Sequence, residues 1–161
     1  MEAAVTQKRD VILVAEDNLD DMEMIREAFA EAVGDGGYEL LLASNGEEAL
    51  EILLQRSLPS GRDEGPLPSL VMLDLDMPRM NGVDVIKAIR STRRLRRVPV
   101  LVLSTSTAFP DIDRCYCAGA NSYLVKPHTI SELADLLKTT LAYWFGVARQ
   151  PSKSRGDCNG Q

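Results

Sequence analysis

The chain has 161 residues, of which 45% are apolar and 26% charged, and it carries a formal charge of −6. That length suits one domain and crowds two, and the aliphatic content can bury a sizeable core without disulfides or structural metal. The negative balance argues against nucleic acid and anionic lipid as partners, and apolar runs such as Val11 to Ala15 fall far short of a membrane span.

Residues 1–9 read as a flexible arm leading into Asp10-Val11-Ile12-Leu13-Val14-Ala15, an aliphatic and β-branched run that predicts a buried strand. After Glu16-Asp17-Asn18, the residues Met22, Ile25, Phe29, Ala32 and Val33 recur at three- and four-residue intervals up to Gly34. This is the pattern of an amphipathic helix, and Asp20, Asp21 and Glu23 sit in its first turn, where acids favour the positive end of the helix dipole. Gly36-Gly37 breaks the chain before a strand over 38–43, and Ser44-Asn45-Gly46 turns into a helix over 47–56. Residues 57–69, with three Pro, two Gly and three Ser, cannot continue a helix and predict an exposed loop insertion. Beyond it come a strand over 70–75, a turn at Asn81-Gly82, a helix over 83–91, a strand over 98–103, and a short helix over 111–118 ended by Gly119. A strand over 122–125 and a helix over 129–148 complete the pattern. Strict alternation predicts an α/β domain over 10–149, a doubly wound five-stranded parallel sheet with helices on both faces. Residues 150–161 lack apolar periodicity and read as a disordered tail.

In an open parallel sheet ligands gather beyond the carboxyl ends of the strands, so the residues that close each apolar run are the informative ones. They are Glu16-Asp17 after the first strand, Asp74 and Asp76 after the third, Ser104-Thr105 after the fourth and Lys126-Pro127 after the fifth. Carboxylate oxygens suit a hard divalent cation such as Mg²⁺. Such a cation neutralises a phosphoryl group beside an aspartate nucleophile, while an ammonium and a hydroxyl hold its other oxygens.

These residues resemble those of the receiver domains of two-component response regulators, a flavodoxin-like (βα)5 family. The resemblance runs from about Asp10 to Tyr143 and rests on the acidic pair in VAEDN, the segment VMLDLDMPRMNG, the hydroxyl after PVLVL, and GANSYLVKP. It implies that Asp74 is the phosphoacceptor, that Glu16 and Asp17 surround Mg²⁺, and that Asp76 meets the metal through its backbone carbonyl. It also implies Ser104 as switch hydroxyl, Lys126 as phosphate-binding lysine with a cis bond to Pro127, and Tyr123 as aromatic switch residue. The 57–69 insertion and the long last helix give a narrower resemblance to the small stand-alone regulators that serve bacterial phytochrome-type kinases. The function so implied is a phosphorylation switch, not an enzyme, fed by a sensor histidine kinase. The chain has no GxxxxGK[ST] loop and no protein-kinase motif set of its own.

Other readings compete at each position. Glu16, Asp17 or Asp76 taken singly is an ordinary loop or capping acid, Lys126 a solvated lysine, Ser104 a strand cap and Tyr123 edge packing. The Asp74-Leu75-Asp76 spacing is also that of a haloacid-dehalogenase-like phosphatase, although that family places it on the first strand and Met77 is the wrong successor. A phosphorylation-independent adaptor with a receiver fold is a third reading. His128 reads as a lead into the last helix, since one histidine cannot build a histidine metal cage. Cys115, Cys117 and Cys158 have neither zinc-like nor CxxC spacing and, with no secretory signal at the start, predict a reducing cytoplasm. The Arg93-Arg94-Leu95-Arg96-Arg97 run reads as a solvated loop, with a basic docking patch as the lesser reading. The last helix carries apolar residues around more than one stripe, with adjacent Trp144 and Phe145 about 100° apart, so at least one of the pair is expected to be exposed in a monomer. That predicts a homodimer through the last two helices and the strand between them.

Overall fold

The computed structural model describes residues 9–34, 37–58 and 65–151. Most of the arm expected over 1–9, the 59–64 part of the insertion and nearly all of the expected tail lie outside those residues. Five strands, β1 (Asp10–Ala15), β2 (Tyr38–Ala43), β3 (Leu70–Leu73), β4 (Val100–Ser104) and β5 (Ser122–Val125), alternate with five α-helices. The helices are α1 (Leu19–Val33), α2 (Gly46–Ser57), α3 (Gly82–Ser91), α4 (Phe109–Ala118) and α5 (Ile130–Leu141). Every strand pair is parallel and the order is β2-β1-β3-β4-β5, the doubly wound arrangement that the alternation predicts.

Successive strand residues point to opposite faces, and the central strands are apolar on both. Leu13 and Ala15 of β1, Val71 and Leu73 of β3, and Val100 and Val102 of β4 meet α2, α3 and α4 on one face. Ile12 and Val14, Leu70 and Met72, and Leu101 and Leu103 meet α1 and α5 on the other. Four helices begin where an Asn or Thr side chain accepts a hydrogen bond from a first-turn N–H: Asn18 from Asp21, Asn45 from Glu48, Asn81 from Asp84 and Thr129 from Glu132. Among the described residues no helix is long and apolar enough to cross a membrane.

Several boundaries differ from the sequence expectation. The pairing of β3 with β1 ends at Leu73 opposite Ala15, two residues before the apolar run ends, and Leu75 is buried in the loop that follows. β4 starts at Val100 because Pro99, which has no N–H, serves only as an acceptor, taking the Val71 N–H at 2.9 Å. The insertion is exposed at Leu58 and Gly65, but Pro68 and Ser69 are buried. Ser69 donates its N–H to the Val11 carbonyl (2.7 Å) and its hydroxyl to Asp10 (2.8 Å), so this end of the loop already belongs to the sheet.

The last helix departs most. After α5 ends at Leu141, residues Ala142–Val147 form a π-helical turn, with the Ala148 N–H reaching the Tyr143 carbonyl at 2.7 Å. The wider turn lets Trp144 and Phe145 both pack, half-buried, on the α1 and α5 side of the core, and the Phe145 ring lies 4.9 Å from that of Tyr38. The expectation that one of this pair is exposed is therefore corrected; these two rings seal the end of the core. Tyr143, 52% exposed, is the aromatic that faces outward.

Candidate functional site

β1 and β3 are neighbours, yet the helix after β1 lies on one face of the sheet and the helix after β3 on the other. The chain leaving these two strands diverges and opens a crevice at their carboxyl ends, the place where this class of sheet binds ligands. Ladder-like hydrogen bonds extend one residue past the strands and fix the backbone there. The Glu16 N–H donates to Ala43 (3.0 Å), that of Asp74 to Ala15 (3.0 Å), and that of Lys126 to Ser104 (2.8 Å). Residues as far apart in sequence as Glu16 and Lys126, 110 positions, thereby meet at one rim.

Carboxylate oxygens of Glu16, Asp17 and Asp74 lie within 4.8 Å of one another. Glu16 is 2% exposed; one of its oxygens accepts the Asn18 N–H at 3.1 Å and the other the Lys126 ammonium at 2.7 Å. Asp17 is exposed and Asp74 partly so, which leaves their oxygens as the ones open to a cation arriving from solvent. Hard oxygen donors, two of them carboxylates facing water, are the donor set that a divalent cation of the Mg²⁺ or Mn²⁺ kind takes. The Asp76 side chain is exposed and is not part of this cluster, so only its backbone carbonyl remains available in the role that the resemblance implies.

Burial, then the charge of Glu16, pushes the Asp74 carboxyl up to about 6, with Lys126 acting in the opposite direction. Lys126 is held above the usual lysine value: its burial works against the charge, but the hydrogen bond and charge of Glu16, helped by Asp74 and Asp21, outweigh it. The Asp74 shift makes a prediction for the metal-free protein. Its folded-state pKa is raised, so the native state binds the extra proton between about pH 4 and 6, and stability falls as pH rises through that window. Asp74→Asn, which cannot ionise, should therefore stabilise the metal-free protein by about 1–2 kcal/mol at pH 8, after allowance for solvent screening of a half-exposed group. The gain should fade towards pH 4. Urea unfolding in a chelator at both pH values checks this, and an equal gain at both would refute it.

The loop from Asp74 to α3 is folded tightly against the site. The Gly82 N–H donates to Leu75 at 3.0 Å, and a Cβ at Gly82 would run into the Asp74 carbonyl oxygen, a backbone atom that cannot step aside. Glycine is needed there for close approach, and it is the second half of the Asn-Gly pair visible in the sequence. Buried Leu75 and Met77 pin the same loop to the core.

Ser104 is fully buried at the end of β4, and its hydroxyl oxygen accepts the Ser106 N–H at 3.2 Å. The Ser106 hydroxyl donates to Asp111 (2.6 Å), and the Ser106 carbonyl accepts the Tyr123 hydroxyl (2.8 Å). A hydrogen-bonded chain thus runs from the strand end to the first turn of α4 and to β5. Sequence reasoning missed Ser106, for which the only signal is a third consecutive hydroxyl residue after Ser104 and Thr105. It also read Asp21 solely as a helix-dipole acid, whereas Asp21 accepts the Lys126 ammonium at 3.2 Å. The signal was spacing: four residues after Asp17 on the first helical turn, a side chain leans back over the strand end.

One implied detail is corrected. All described peptide bonds are trans, Lys126–Pro127 included, which is the lower-energy isomer even before proline. His128 is exposed and outside the acidic cluster. Cys115 is buried, and burial raises its thiol to about 11, so it is inert as a nucleophile at neutral pH; Cys117 is exposed and both are free. The four arginines of the 93–97 run are exposed around buried Leu95.

This sheet order, with an acidic cluster and a buried lysine at the switch point, defines a receiver-type domain. The family described as the response regulator receiver domain matches residues 12–138, and the chain belongs to it. The chain is 37% identical over 141 residues to the probable methanogenesis regulatory protein FilR2 of Methanothrix harundinacea, covering 88% of this chain and 87% of that protein. It is 29% identical over 142 residues to the response regulator Rcp1 of Synechocystis, covering 88% and 93%, and an Rcp1 structure in a Mn²⁺-bound form superposes with a TM-score of 0.73 over 89% of this chain and 99% of that one. The phosphorylated cyanobacterial phytochrome response regulator RcpA superposes with a TM-score of 0.77 at 33% identity, again over 89% of this chain and 99% of that one.

Proposed function

We propose that this protein is a single-domain response regulator that accepts a phosphoryl group from a sensor histidine kinase onto Asp74 and signals through a phosphorylation-dependent change of surface. The observation that carries the reading is the Glu16, Asp17 and Asp74 cluster beside a lysine that is 4% exposed, all at the switch point of the sheet. One Asp74 carboxylate oxygen attacks phosphorus, the P–O bond forms, the P–N bond to the kinase imidazole breaks, and the imidazole leaves. Asp17 and Asp74 would hold Mg²⁺, which would supply the positive charge that offsets the repulsion between these acids and the incoming phosphoryl oxygens. Lys126 and the Ser104 hydroxyl then hold phosphoryl oxygens, and the rearrangement reaches α4 and β5 through Ser106 and Tyr123.

The protein acts as a switch and not as an enzyme, in the cytoplasm, with neither nucleic acid nor membrane as partner. A phytochrome-type kinase is the donor this reading favours, supported by the likeness to RcpA, which is named as a phytochrome response regulator. A phosphotransfer profile against the host's histidine kinases tests this: rapid transfer from one kinase to Asp74 is expected, and no transfer from any would overturn it.

The reading includes a homodimer through α4, β5 and α5. Phe109, Tyr116 and Val125 on α4 and β5, and Tyr143 in the π-helical turn after α5, are each between 45% and 78% exposed, an apolar surface of the kind that association covers. Sedimentation equilibrium should show a dimer that Tyr143→Ala weakens. A wild-type monomer at about 50 μM, with and without phosphorylation, rejects the dimer.

A further inference from the structure

The Lys126 ammonium has two carboxylate partners, and they are unequal. Glu16, buried on β1, holds it at 2.7 Å; Asp21, on the first turn of α1 with its side chain 40% exposed, holds it at 3.2 Å. Asp74 makes no ion pair with it, although their charges influence each other. We propose that Asp21 is a positioning residue that restrains the site: by taking a share of the Lys126 ammonium, it weakens the protein's hold on a phosphoryl group at Asp74. The inference rests on the reading of Asp74 as phosphoacceptor.

Two effects of Asp21 have the same sign. Its carboxylate competes with phosphoryl oxygens for the donors of Lys126, and its negative charge repels the phosphoryl group itself. A loss of lysine positioning would act the other way, but Glu16 alone keeps the ammonium in place through the shorter and more buried contact. Removing Asp21 therefore frees a donor without releasing the lysine. Asp21 is also outside the acidic cluster, so it is not a ligand of the cation, and its charge can only favour cation binding. Because the Asp21 carboxylate is partly solvated, its share is that of a half-exposed ion pair, which corresponds to a two- to fivefold change, on the order of that measured for such pairs.

The test is calorimetric titration of beryllofluoride, a phosphoryl analogue, into the full chain in excess Mg²⁺. The wild type should bind it at Asp74, with binding lost in Asp74→Asn. Asp21→Ala and the equally sized, uncharged Asp21→Asn should both bind two- to fivefold more tightly. Asp20→Ala, which removes an exposed acid from the same helical turn, should bind as the wild type does. Mg²⁺ titrated alone should bind Asp21→Ala no more tightly than the wild type. Unchanged or weaker beryllofluoride binding in the Asp21 variants overturns the proposal, and so does equal tightening in Asp20→Ala or a matching gain in affinity for Mg²⁺ alone. If the wild type takes up no beryllofluoride, or Asp74→Asn takes up as much, the phosphoacceptor assignment falls first and the role of Asp21 falls with it.

Discussion

Asp74→Asn should abolish covalent phosphorylation, and chelation of divalent cations should suppress it in the wild type by several orders of magnitude. The first effect is chemical: an amide oxygen is too weak a nucleophile to displace imidazole, and no other carboxylate replaces it. Glu16 has one oxygen on the Lys126 ammonium and the other on a backbone N–H, while Asp17 would be engaged by the cation under the proposed function. The second effect is electrostatic. Each pair of like charges about 4 Å apart repels by about 4 kcal/mol at the dielectric of a protein surface, and Asp17 and Asp74 both face the phosphoryl oxygens. Lys126 offsets only part of this, since its charge is already shared by Glu16 and Asp21. Incubation with acetyl phosphate and Mg²⁺ followed by intact-mass spectrometry measures both. Wild-type levels of acid- and base-labile phosphate in Asp74→Asn would show that the acceptor lies elsewhere.

Much of this site was legible in the sequence because open parallel sheets place chemistry at strand ends, and strand ends are easy to read when aliphatic runs stop abruptly at charged residues. The bounds of β1, β2 and β5 agree with the apolar runs, each closed by a change of residue type. The run that ends at Leu75 misled because burial and strand pairing are different properties: Leu75 is apolar for the sake of the loop that Gly82 holds against Asp74. The aromatic end of α5 misled for a geometric reason. A sequence does not declare a π-helical turn, and α-helical spacing assigns Trp144 and Phe145 to different sides when the wider turn brings both onto the core.

The parts of the site that escaped are those whose function comes from contact and not from residue type. Asp21 has the composition of any first-turn acid, and stabilisation of the helix dipole explains it adequately until its distance to Lys126 is known. Ser106 lies in a polar stretch where hydroxyls are ordinary, and only the bonds to Ser104, Asp111 and Tyr123 reveal it as a link from the site to α4. Both sit within a few residues of positions that motif reading finds. Glu16 and Lys126 stand out in the sequence because each is a charge that closes a strand, and the structure buries both.

Lys126→Ala should separate phosphorylation from signalling and, in metal-free protein, should cost more stability than any other single change at the site. Removing the ammonium leaves Glu16, 2% exposed, as a buried carboxylate with no counter-charge beside Asp74, a change worth about 3–5 kcal/mol. The loss should shrink in excess Mg²⁺, because a cation at the cluster restores positive charge close to Glu16. It should shrink as well in the double variant Glu16→Gln/Lys126→Ala, which removes the stranded charge; urea unfolding with and without chelator measures all three. The proposed nucleophile and the solvent-facing oxygens of Asp17 and Asp74 survive the substitution, so the variant should still accept phosphate in Mg²⁺. What it lacks is the ammonium that draws the phosphoryl group towards β5. Phosphorylation should therefore shift the backbone NMR signals of β5 and α4 far less than in the wild type, with Ser104→Ala intermediate because a hydroxyl is the weaker partner. Equal shifts in wild type and Lys126→Ala would mean that the signal leaves the site by a route other than the lysine.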